Sequence, residues 1–259
     1  MSIFVTWNVN SIKARHDHVL RFLEETSPDV LMVQELKGES FPQESFEALG
    51  YQIFVNGQKT YNGVATFVKG GGAELIADTL PGDGTDEQAR FLDVSWQGLR
   101  LINIYLPNGN PVDTEKYPYK LNWMERLKGY VTPLRAARLP FFVAGDFNII
   151  PEEKDCFDPK VWENDALFKL ESREKWREIE NLGLYDAFRL FNGDSGQYSF
   201  WDYQAGCWPQ NKGIRIDHFL LSPELVDKAL SCRIDSGPRG WDKPSDHTPV
   251  LLELAASCA

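Results

Sequence analysis

The sequence is poor in cysteine and has no excess of basic residues. Its cysteines are Cys156, Cys207, Cys232 and Cys258. They form no CxxC pair and no zinc-type spacing, so we expect free thiols in a reducing compartment. Acidic residues outnumber basic ones by 38 to 27, which gives a formal net charge of -11. This balance argues against nucleic-acid binding driven by total charge, but it is compatible with a local basic face beside an acidic metal site.

Long apolar runs, repeats and low-complexity tracts are also missing from the chain. No run approaches the length of a membrane span, so we expect no membrane partner. The first eight residues begin directly with a strand pattern and lack the regions of a signal peptide, which predicts a cytoplasmic protein. The chain has 259 residues, of which 42% are hydrophobic. This length and composition predict one domain over residues 1–259 with a sizeable core.

Apolar periodicity predicts a β-rich chain with a few helices. Residues 3–7 and 30–34 read as strands, and residues 16–26 between them have helical spacing, which makes a βαβ unit. Further strand-like runs cover 51–55, 63–69, 91–96, 99–106, 141–146, 198–203, 214–221 and 249–254, and further helices cover 116–137 and 171–182. Because helices and strands do not alternate strictly, the pattern favours an α/β fold in which sheets pack together with helices outside.

Polar residues stand at or near the ends of six of these strand-like segments. They are Asn8 with Asn10, Gln34 with Glu35, Tyr105 with Asn108, Asp146 with Asn148, Arg215 with Asp217, and Asp246 with His247. Asparagine and aspartate are ordinary turn residues, so any single pair is typical of a structural corner. An ionised carboxylate beside a core strand is costly unless it is paired or bound to a cation. The occurrence of six such segments therefore favours a chemical site.

Strand geometry predicts which of these side chains share a face. Residues two apart point the same way in an extended strand, so Asp146 is expected beside Asn148 and Arg215 beside Asp217, provided that the extended form persists. The same reasoning pairs Asn8 with Asn10. His218 should point away from Asp217, and we expect it to pack in the interior or to be half exposed.

These residue types suit the metal-assisted hydrolysis of a phosphodiester. A hard cation such as Mg²⁺ takes oxygen ligands, which Glu35 and Asp246 can supply with help from Asn8 or Asn10. A carboxylate can activate water, amides can orient it, and a protonated histidine can stabilise charge that develops on the phosphate. A buried aspartate can fix the tautomer of that histidine and raise its pKa.

Three competing motifs do not support another chemistry. Ser245-Asp246-His247 resembles a serine relay in composition, but neighbouring strand side chains point apart. Gly70-Gly71-Gly72 has no following Lys-Ser/Thr and is therefore a turn rather than a phosphate-binding loop. His16-Asp17-His18 opens a helix and reads as a solvated first turn.

The sequence resembles exonuclease III-type apurinic/apyrimidinic (AP) endonucleases, over nearly its whole length and in the same order. The segments that carry the resemblance are WNVNSIKAR, the Gln34-Glu35 strand end, NGQKTYNGVA, INIYLPNG, AGDFNIIP, GLYDAFR, SFWDY, GIRIDHFLLS and KPSDHTPV. These enzymes belong to the endonuclease/exonuclease/phosphatase superfamily with the DNase I-like fold. AGDFN and SDHTPV are shared with that superfamily, whereas GLYDAFR, SFWDY and GIRIDHFLLS are specific to the DNA-repair branch.

The resemblance implies a four-layered α/β sandwich in which two mixed β-sheets face each other with helices outside. It also implies an enzyme dependent on Mg²⁺, or on Mn²⁺ in its place, that cleaves double-stranded DNA on the 5′ side of an abasic site and leaves a 3′-hydroxyl. Relatives also remove blocked 3′ ends and degrade DNA from the 3′ end. We expect a monomer.

The same resemblance implies a role for individual residues. Asp146 resembles the residue that activates water, Asn148 a transition-state hydrogen-bond donor, His247 the phosphate-contacting histidine, Asp217 its buried partner, and Tyr105 a contact to the scissile phosphate. Glu35 resembles the main metal ligand, with Asp246 and Asn8 nearby, and the metal set extends to Asp146, Asn148 and His247.

The DNA contacts implied in the same way are Asn108, on the phosphate or sugar, and Trp201, as one wall of the abasic pocket. Basic residues predicted to contact phosphates are Lys13, Arg15, Lys59, Arg90, Lys212, Arg215 and Lys243. Two positions depart from some relatives. Asn10 replaces an aspartate, which lowers the charge of the metal site, and Ile214 replaces an aromatic residue.

Three alternatives to the AP endonuclease remain open at the level of the sequence. A dedicated 3′→5′ exonuclease or 3′-repair phosphodiesterase would carry the same catalytic set and differ in the loops that line the pocket. An inositol-phosphate or sphingolipid phosphodiesterase or phosphatase would share Glu35, Asp146, Asn148, Asp246 and His247, but not SFWDY or GIRIDHFLLS. A binding module without activity is disfavoured because every catalytic position carries a competent residue.

Overall fold

The computed structural model describes residues 1–256, which contain twelve strands and seven α-helices. The strands are β1 (Ser2–Asn8), β2 (Val30–Gln34), β3 (Tyr51–Asn56), β4 (Val64–Lys69), β5 (Ala73–Ala77), β6 (Phe91–Trp96), β7 (Leu99–Tyr105), β8 (Phe141–Asp146), β9 (Tyr185–Asp186), β10 (Asp217–Leu221), β11 (Ala229–Ile234) and β12 (Val250–Leu254). The helices are α1 (His16–Thr26), α2 (Glu44–Ala48), α3 (Lys116–Ala136), α4 (Pro159–Trp162), α5 (Leu170–Glu180), α6 (Ala187–Phe191) and α7 (Pro223–Val226). Two short 3₁₀ turns cover Glu153–Asp155 and Gly237–Gly240.

The strands form two six-stranded mixed sheets. The first sheet has the order β11-β12-β1-β2-β4-β3, and the second has the order β5-β6-β7-β8-β10-β9. Each sheet contains one parallel pair, β1 with β2 and β7 with β8. In both pairs the crossover contains a long helix, α1 or α3, as expected for parallel neighbours. The predicted βαβ unit at the start of the chain is confirmed.

Three apolar clusters stack the sheets and helices into four layers. Between the sheets, Phe4 and Met32 of the first sheet pack with Phe142 and Phe219 of the second. On the outer face of the first sheet, Val5 and its neighbours pack against α1. On the outer face of the second sheet, strands β7, β8 and β10 pack against α3 and α5. The predicted four-layered sandwich is therefore confirmed.

The parallel pairs determine where polar strand ends meet. The carboxyl ends of β1 and β2 lie side by side in one sheet, and those of β7 and β8 lie side by side in the other. A hydrogen bond of 2.9 Å between Asn8 Nδ2 and Asp146 Oδ2 joins the ends of β1 and β8 across the sandwich. The residues that follow these strands therefore gather at one mouth of the molecule.

Several predicted boundaries were wrong. Residues 198–203 form no strand; Phe200 makes only isolated bridges to Ile214 and His247. The strand predicted over 214–221 begins at Asp217, because Ile214 pairs with Phe200 and Cys156 instead of continuing the sheet. Strands β5, β9 and β11 were not predicted, because they are edge strands or very short and lack a clear apolar alternation.

The structure also describes the length of the helices and the state of three cysteines. In residues 1–256 no helix combines the length and apolar character needed to cross a bilayer. Cys156, Cys207 and Cys232 are free thiols, and Cys258 lies outside the described residues.

Candidate active site

Three of the polar residues that follow strands adopt left-handed backbone conformations. Their φ angles are 47° at Asn10, 55° at Glu35 and 49° at Asn148. Asparagine tolerates this region, whereas for glutamate it costs on the order of 1–3 kcal/mol. The extended form therefore does not persist, and the expectation that Asn10 and Asn148 share a strand face with Asn8 and Asp146 was wrong.

Local side-chain turns bring the two pairs together instead. The Asn10 backbone N–H donates to Asn8 Oδ1 at 3.0 Å, and the Asn148 backbone N–H donates to Asp146 Oδ1 at 2.9 Å. Aspartate and asparagine make such turns readily with the backbone two residues on. Each pair therefore belongs to the site, but through a turn rather than through alternation along a strand.

Gly145 and Phe147 fix the corner that carries Asp146. Gly145 has a φ of 144°, and a Cβ atom there would lie 1.9 Å from the carbonyl oxygen of Ile104 on the neighbouring strand. Only glycine permits this approach. The buried Phe147 ring packs on Trp176 and His218, with centroid distances of 5.3 and 5.5 Å. The residues immediately before and after Asp146 in the sequence thus fix the position of its carboxylate.

Two carboxylates converge on the Asn8 amide. Asn8 Nδ2 donates to Glu35 Oε1 and to Asp146 Oδ2, each at 2.9 Å. One ligand atom from each of Glu35, Asp146 and His247 lies within 4.8 Å of the others. The Lys37 ammonium lies 3.0 Å from Glu35 Oε2 and offsets part of the negative charge of this cluster. The two carboxylates, Glu35 and Asp146, offer the oxygen ligands that a hard divalent cation takes, while the Asn8 amide bonds both of them.

His247 lies between two aspartates. Its Nδ1 is 2.9 Å from Asp217 Oδ2, and its Nε2 is 3.7 Å from Asp146 Oδ2. Burial opposes a charge on the ring, but the two carboxylates outweigh it and raise the pKa of His247 to about 10. Burial also raises the pKa of Asp146 above the usual carboxyl range, against the opposing effect of His247. A cationic imidazole therefore stands beside a carboxylate that can accept a proton.

Ser245 has a structural part in the same region. Its Oγ donates to the Asn8 carbonyl at 2.7 Å and accepts from the His247 backbone N–H at 3.2 Å. Since His247 Nδ1 bonds Asp217, the residues Ser245, Asp246 and His247 do not form a serine relay, as the sequence predicted.

Tyr105, Asn108 and Asn148 line the other side of the cluster. Burial, together with the nearby Glu35 and Asp146 carboxylates, raises the pKa of Tyr105 well above its usual value, so its hydroxyl keeps its proton. Asn108 is exposed, and its Nδ2 donates to Asn148 Oδ1 at 3.0 Å. Asn148 Nδ2 in turn donates to the Leu106 carbonyl at 2.9 Å.

Asp246 is linked to Glu35 through the side chains of Asn10 and Lys37. Its Oδ1 accepts from Asn10 Nδ2 at 2.9 Å, and Asn10 Oδ1 accepts from Lys37. Asn10 therefore stands between Asp246 and Glu35. Lys37 was missed by the sequence reasoning, although its position two residues after Glu35 at a strand end could have indicated it.

The predicted DNA contact at Arg215 was wrong. The side chain is 1% exposed, and it forms ion pairs with Asp155 at 2.7 Å and with Asp186 at 2.8 Å. Its Nη1 lies 2.9 Å from His218 Nδ1, and His218 is buried as predicted. Arg215 is therefore an interior cation that neutralises two buried carboxylates, and it is not paired with Asp217.

Trp201 also lies in the interior. It is 3% exposed, its indole N–H donates to Asn211, and its ring packs on Trp208, with which it lines a cavity. Its role as a wall of the abasic pocket stays a prediction. Phe200, which is half-buried, is the aromatic residue that contacts His247, with a centroid distance of 4.9 Å. The resemblance to the family assigned the pocket wall to Trp201, whereas in the structure the ring of the adjacent Phe200 contacts His247.

The two predicted basic contacts near β1 differ in exposure. Lys13 is exposed. Arg15 instead donates to the Asn10 carbonyl at 2.8 Å, to the Pro244 carbonyl at 3.0 Å and to the Tyr203 hydroxyl at 3.0 Å. Arg15 thus ties together the loops that carry Asn10 and Asp246.

The fold and this site together define a metal-dependent phosphodiester hydrolase. Two mixed sheets bring a histidine–aspartate pair, a second buried aspartate and a glutamate to one mouth, next to tyrosine and asparagine donors. The sequence profile of the Endonuclease/Exonuclease/phosphatase family matches residues 5–247, and the chain belongs to that family.

Relatives within that family identify the branch. The chain is 33% identical to exodeoxyribonuclease III of Haemophilus influenzae, over 97% of this chain and 99% of that protein. It is 30% identical to an exodeoxyribonuclease of Bacillus subtilis, over 96% of this chain and 97% of that protein. The protein is therefore a member of the exonuclease III-type group.

A solved structure of similar shape is that of an AP endonuclease from Archaeoglobus fulgidus, with a TM-score of 0.94 and 34% identity over 99% of this chain and 100% of that one. Another is a 3′ phosphatase from Neisseria bound to a product DNA hairpin, with a TM-score of 0.93 and 32% identity over 99% and 100% of the two chains.

Proposed function

We propose that this protein is a DNA base-excision-repair hydrolase that cleaves the phosphodiester on the 5′ side of an abasic site and leaves a 3′-hydroxyl. The observation that carries the proposal is the convergence on Asp146 of the Asn8 amide at 2.9 Å, the Asn148 backbone N–H at 2.9 Å and His247 Nε2 at 3.7 Å. These contacts orient one carboxylate beside a cation and beside amide donors. That arrangement suits the activation of water next to a phosphate.

In this proposal Asp146 transfers a proton, and His247, Tyr105 and Asn148 stabilise charge on the phosphate. Asp146 accepts the proton of the attacking water. His247, kept protonated by Asp217, donates to a phosphate oxygen through Nε2, which faces the mouth of the site. Tyr105 donates its hydroxyl to the phosphate. Asn148 uses one Nδ2 hydrogen on the Leu106 carbonyl, which leaves its second hydrogen available to the scissile group.

Glu35 with Asn8 and Asp146 would hold the divalent cation, and we propose Mg²⁺, with Mn²⁺ able to replace it. When bound, the cation offsets negative charge on the phosphate oxygens. Asp246, through Asn10, adds negative charge at the edge of the same site, and Asn148 and His247 flank it. The balance of oxygen ligands favours Mg²⁺ over zinc.

DNA binding must overcome a formal net charge of -11, so it requires local basic residues. Lys13 and Lys243 are exposed on one side of the site and line one cavity beside the start of α1. Arg90, stacked 4.6 Å above the Tyr105 ring, lies on the other side and lines a cavity with Asn108. Phosphates of a duplex laid across the mouth would meet both sides. An abasic nucleotide is extruded at lower cost than a stacked one, which supports selection of the damaged site.

We further propose that residues 1–259 act as one domain and as a monomer in the cytoplasm. Equilibrium sedimentation at micromolar concentration tests the monomer.

The test of the function is a cleavage assay in Mg²⁺. The substrates are a duplex with one abasic analogue, the same duplex without it, a recessed 3′ end and an inositol phosphate. We expect cleavage of the abasic duplex immediately 5′ to the lesion, and no cleavage by a His247→Ala variant prepared in parallel. Activity on the other substrates with none on the abasic duplex contradicts the proposal.

A second candidate is a dedicated 3′→5′ exonuclease or 3′ phosphatase with little AP endonuclease activity. It is favoured by the likeness to the Neisseria 3′ phosphatase, at 32% identity, and to a 3′–5′ exonuclease from Neisseria meningitidis, at 33% identity. A duplex that carries a 3′-phosphate separates the two candidates. A rate on this substrate that exceeds the rate on the abasic duplex by more than about a hundredfold supports the second candidate.

A further inference from the structure

A lysine ammonium is buried beneath the site, between two of its loops. Lys120 belongs to α3 and has no exposed surface. Its Nζ donates to the carbonyl oxygen of Asn148 at 2.6 Å and to that of Asn108 at 3.0 Å. Burial lowers the pKa of Lys120 to about 7, and the hydrogen bonds to these two carbonyls offset part of the cost of the buried charge.

The two loops that Lys120 joins follow β7 and β8, and they present the amides of the site. Asn108 Nδ2 donates to Asn148 Oδ1 at 3.0 Å, so the two side chains hold each other above the ammonium. The direction of the Asn148 side chain therefore depends on the distance between the two loop backbones. Lys120 sets that distance because its Nζ donates to one carbonyl of each loop.

The position of the ammonium is itself rigid. Trp123 and Leu127, further along α3, are buried in the cluster that covers the second sheet. The stem of Lys120 runs under Gly109, whose φ is 90° and where a Cβ atom would lie 2.7 Å from Lys120 Cδ. The helix, the stem and the loop thus leave the ammonium little freedom to move.

We propose that Lys120 is a positioning residue of the reaction, which holds the loops of Asn108 and Asn148 at the separation that aims the Asn148 amide at the scissile phosphate. Lys120 touches neither the phosphate nor the attacking water. The inference rests on the proposed role of Asn148, and it extends that role to a residue in a helix beneath the site.

The first test compares Lys120→Met with Lys128→Met. Lys128 lies on the same helix but forms surface ion pairs with Glu125 and Glu178, so its replacement controls for a charge lost from α3. We expect Lys120→Met to lower kcat by about tenfold to a hundredfold, with KM changed by less than about threefold, because a small misplacement affects the transition state more than ground-state binding. Lys128→Met should leave both constants unchanged.

A double-mutant cycle separates positioning from general stability. If Lys120 acts through Asn148, adding Lys120→Met to an Asn148→Ala variant should lower kcat by less than about twofold further. If the loss of kcat in the double variant equals the product of the losses in the two single variants, the proposal is overturned. A Lys120→Met enzyme with wild-type kcat overturns it as well. A loss of thermal stability alone, with kcat intact, also overturns it.

Lys120→Gln covers the case in which Lys120→Met does not fold. The glutamine amide keeps a donor that can reach one carbonyl, so an intermediate loss of kcat is expected and the same cycle applies to it. The assays use whichever phosphodiester the wild-type protein hydrolyses. Failure of the wild type on the abasic duplex therefore contradicts the proposed function, whereas only the variants decide the role of Lys120.

Discussion

The imidazole of His247 is oriented by Asp217, whose Oδ2 lies 2.9 Å from Nδ1. This contact directs Nε2 toward Asp146 and the mouth of the site, and it keeps the ring protonated at neutral pH. The effect of His247 on the reaction therefore depends on a residue that does not itself reach the substrate.

Replacement of Asp217 by asparagine should reduce kcat by on the order of 10²–10⁴. The variant loses the negative charge that stabilises the imidazolium, and its amide can present a donor to Nδ1 where an acceptor is required. Steady-state kinetics on the abasic duplex measure the loss, and circular dichroism checks the fold. Asp227→Asn, at an exposed aspartate, is the matched control and should be fully active. Equal activity of the two variants would refute the orienting role of Asp217.

Replacement of Glu35 by alanine should raise the Mg²⁺ concentration needed for half-maximal activity by more than about tenfold, since a carboxylate ligand of a hard cation is lost. Binding of Mn²⁺, followed by its electron paramagnetic resonance signal, gives a readout independent of turnover. Glu39→Ala removes an exposed carboxylate of the same loop and should leave both titrations unchanged. If Glu35→Ala binds Mn²⁺ like the wild type, Glu35 is not a ligand.

Replacement of Arg215 by methionine should destabilise the fold by about 3–5 kcal/mol, because Asp155 and Asp186 then lose a buried counter-ion. Urea unfolding measures this change in the free energy of unfolding. By contrast, Lys13→Ala should leave stability unchanged, weaken DNA binding and lower the slope of log affinity against log salt by about 1. A stable Arg215→Met protein with a reduced salt slope would restore Arg215 as a DNA contact.

Stability should fall with acid between pH 6.5 and about 4 because of His218. Burial, and next the charge of Arg215, lower its pKa from 6.5 to about 4 in the folded protein. The unfolded chain therefore takes up the proton first as the pH drops, so the contribution is complete above pH 6.5 and is lost toward pH 4. It amounts to a few kcal/mol at most. Unfolding free energies at several pH values should show a shallower acid slope for His218→Gln than for the wild type; parallel slopes would exclude His218 as the cause.

Much of the fold follows from the sequence, because buried strands and long amphipathic helices leave strong periodic signals. The bounds of α1 and β2 were predicted to the residue, and α3 to within one residue. Weakly patterned edges such as β11, where exposed and half-buried residues are mixed, were not predicted. The spacing of apolar residues along the chain does not indicate which strands are neighbours in a sheet.

The sequence by itself determined which residues could perform the chemistry and which strands would carry them, because residue type sets the available acids, amides and cations, and apolar period sets the strands. Only the tertiary structure decided their use. The left-handed turns at Asn10, Glu35 and Asn148 replaced strand alternation. Arg215 is buried as the counter-ion of two carboxylates, and Lys120 is buried beneath the site. Such outcomes depend on contacts between residues far apart in the chain, and these contacts exist only once the two sheets have packed together.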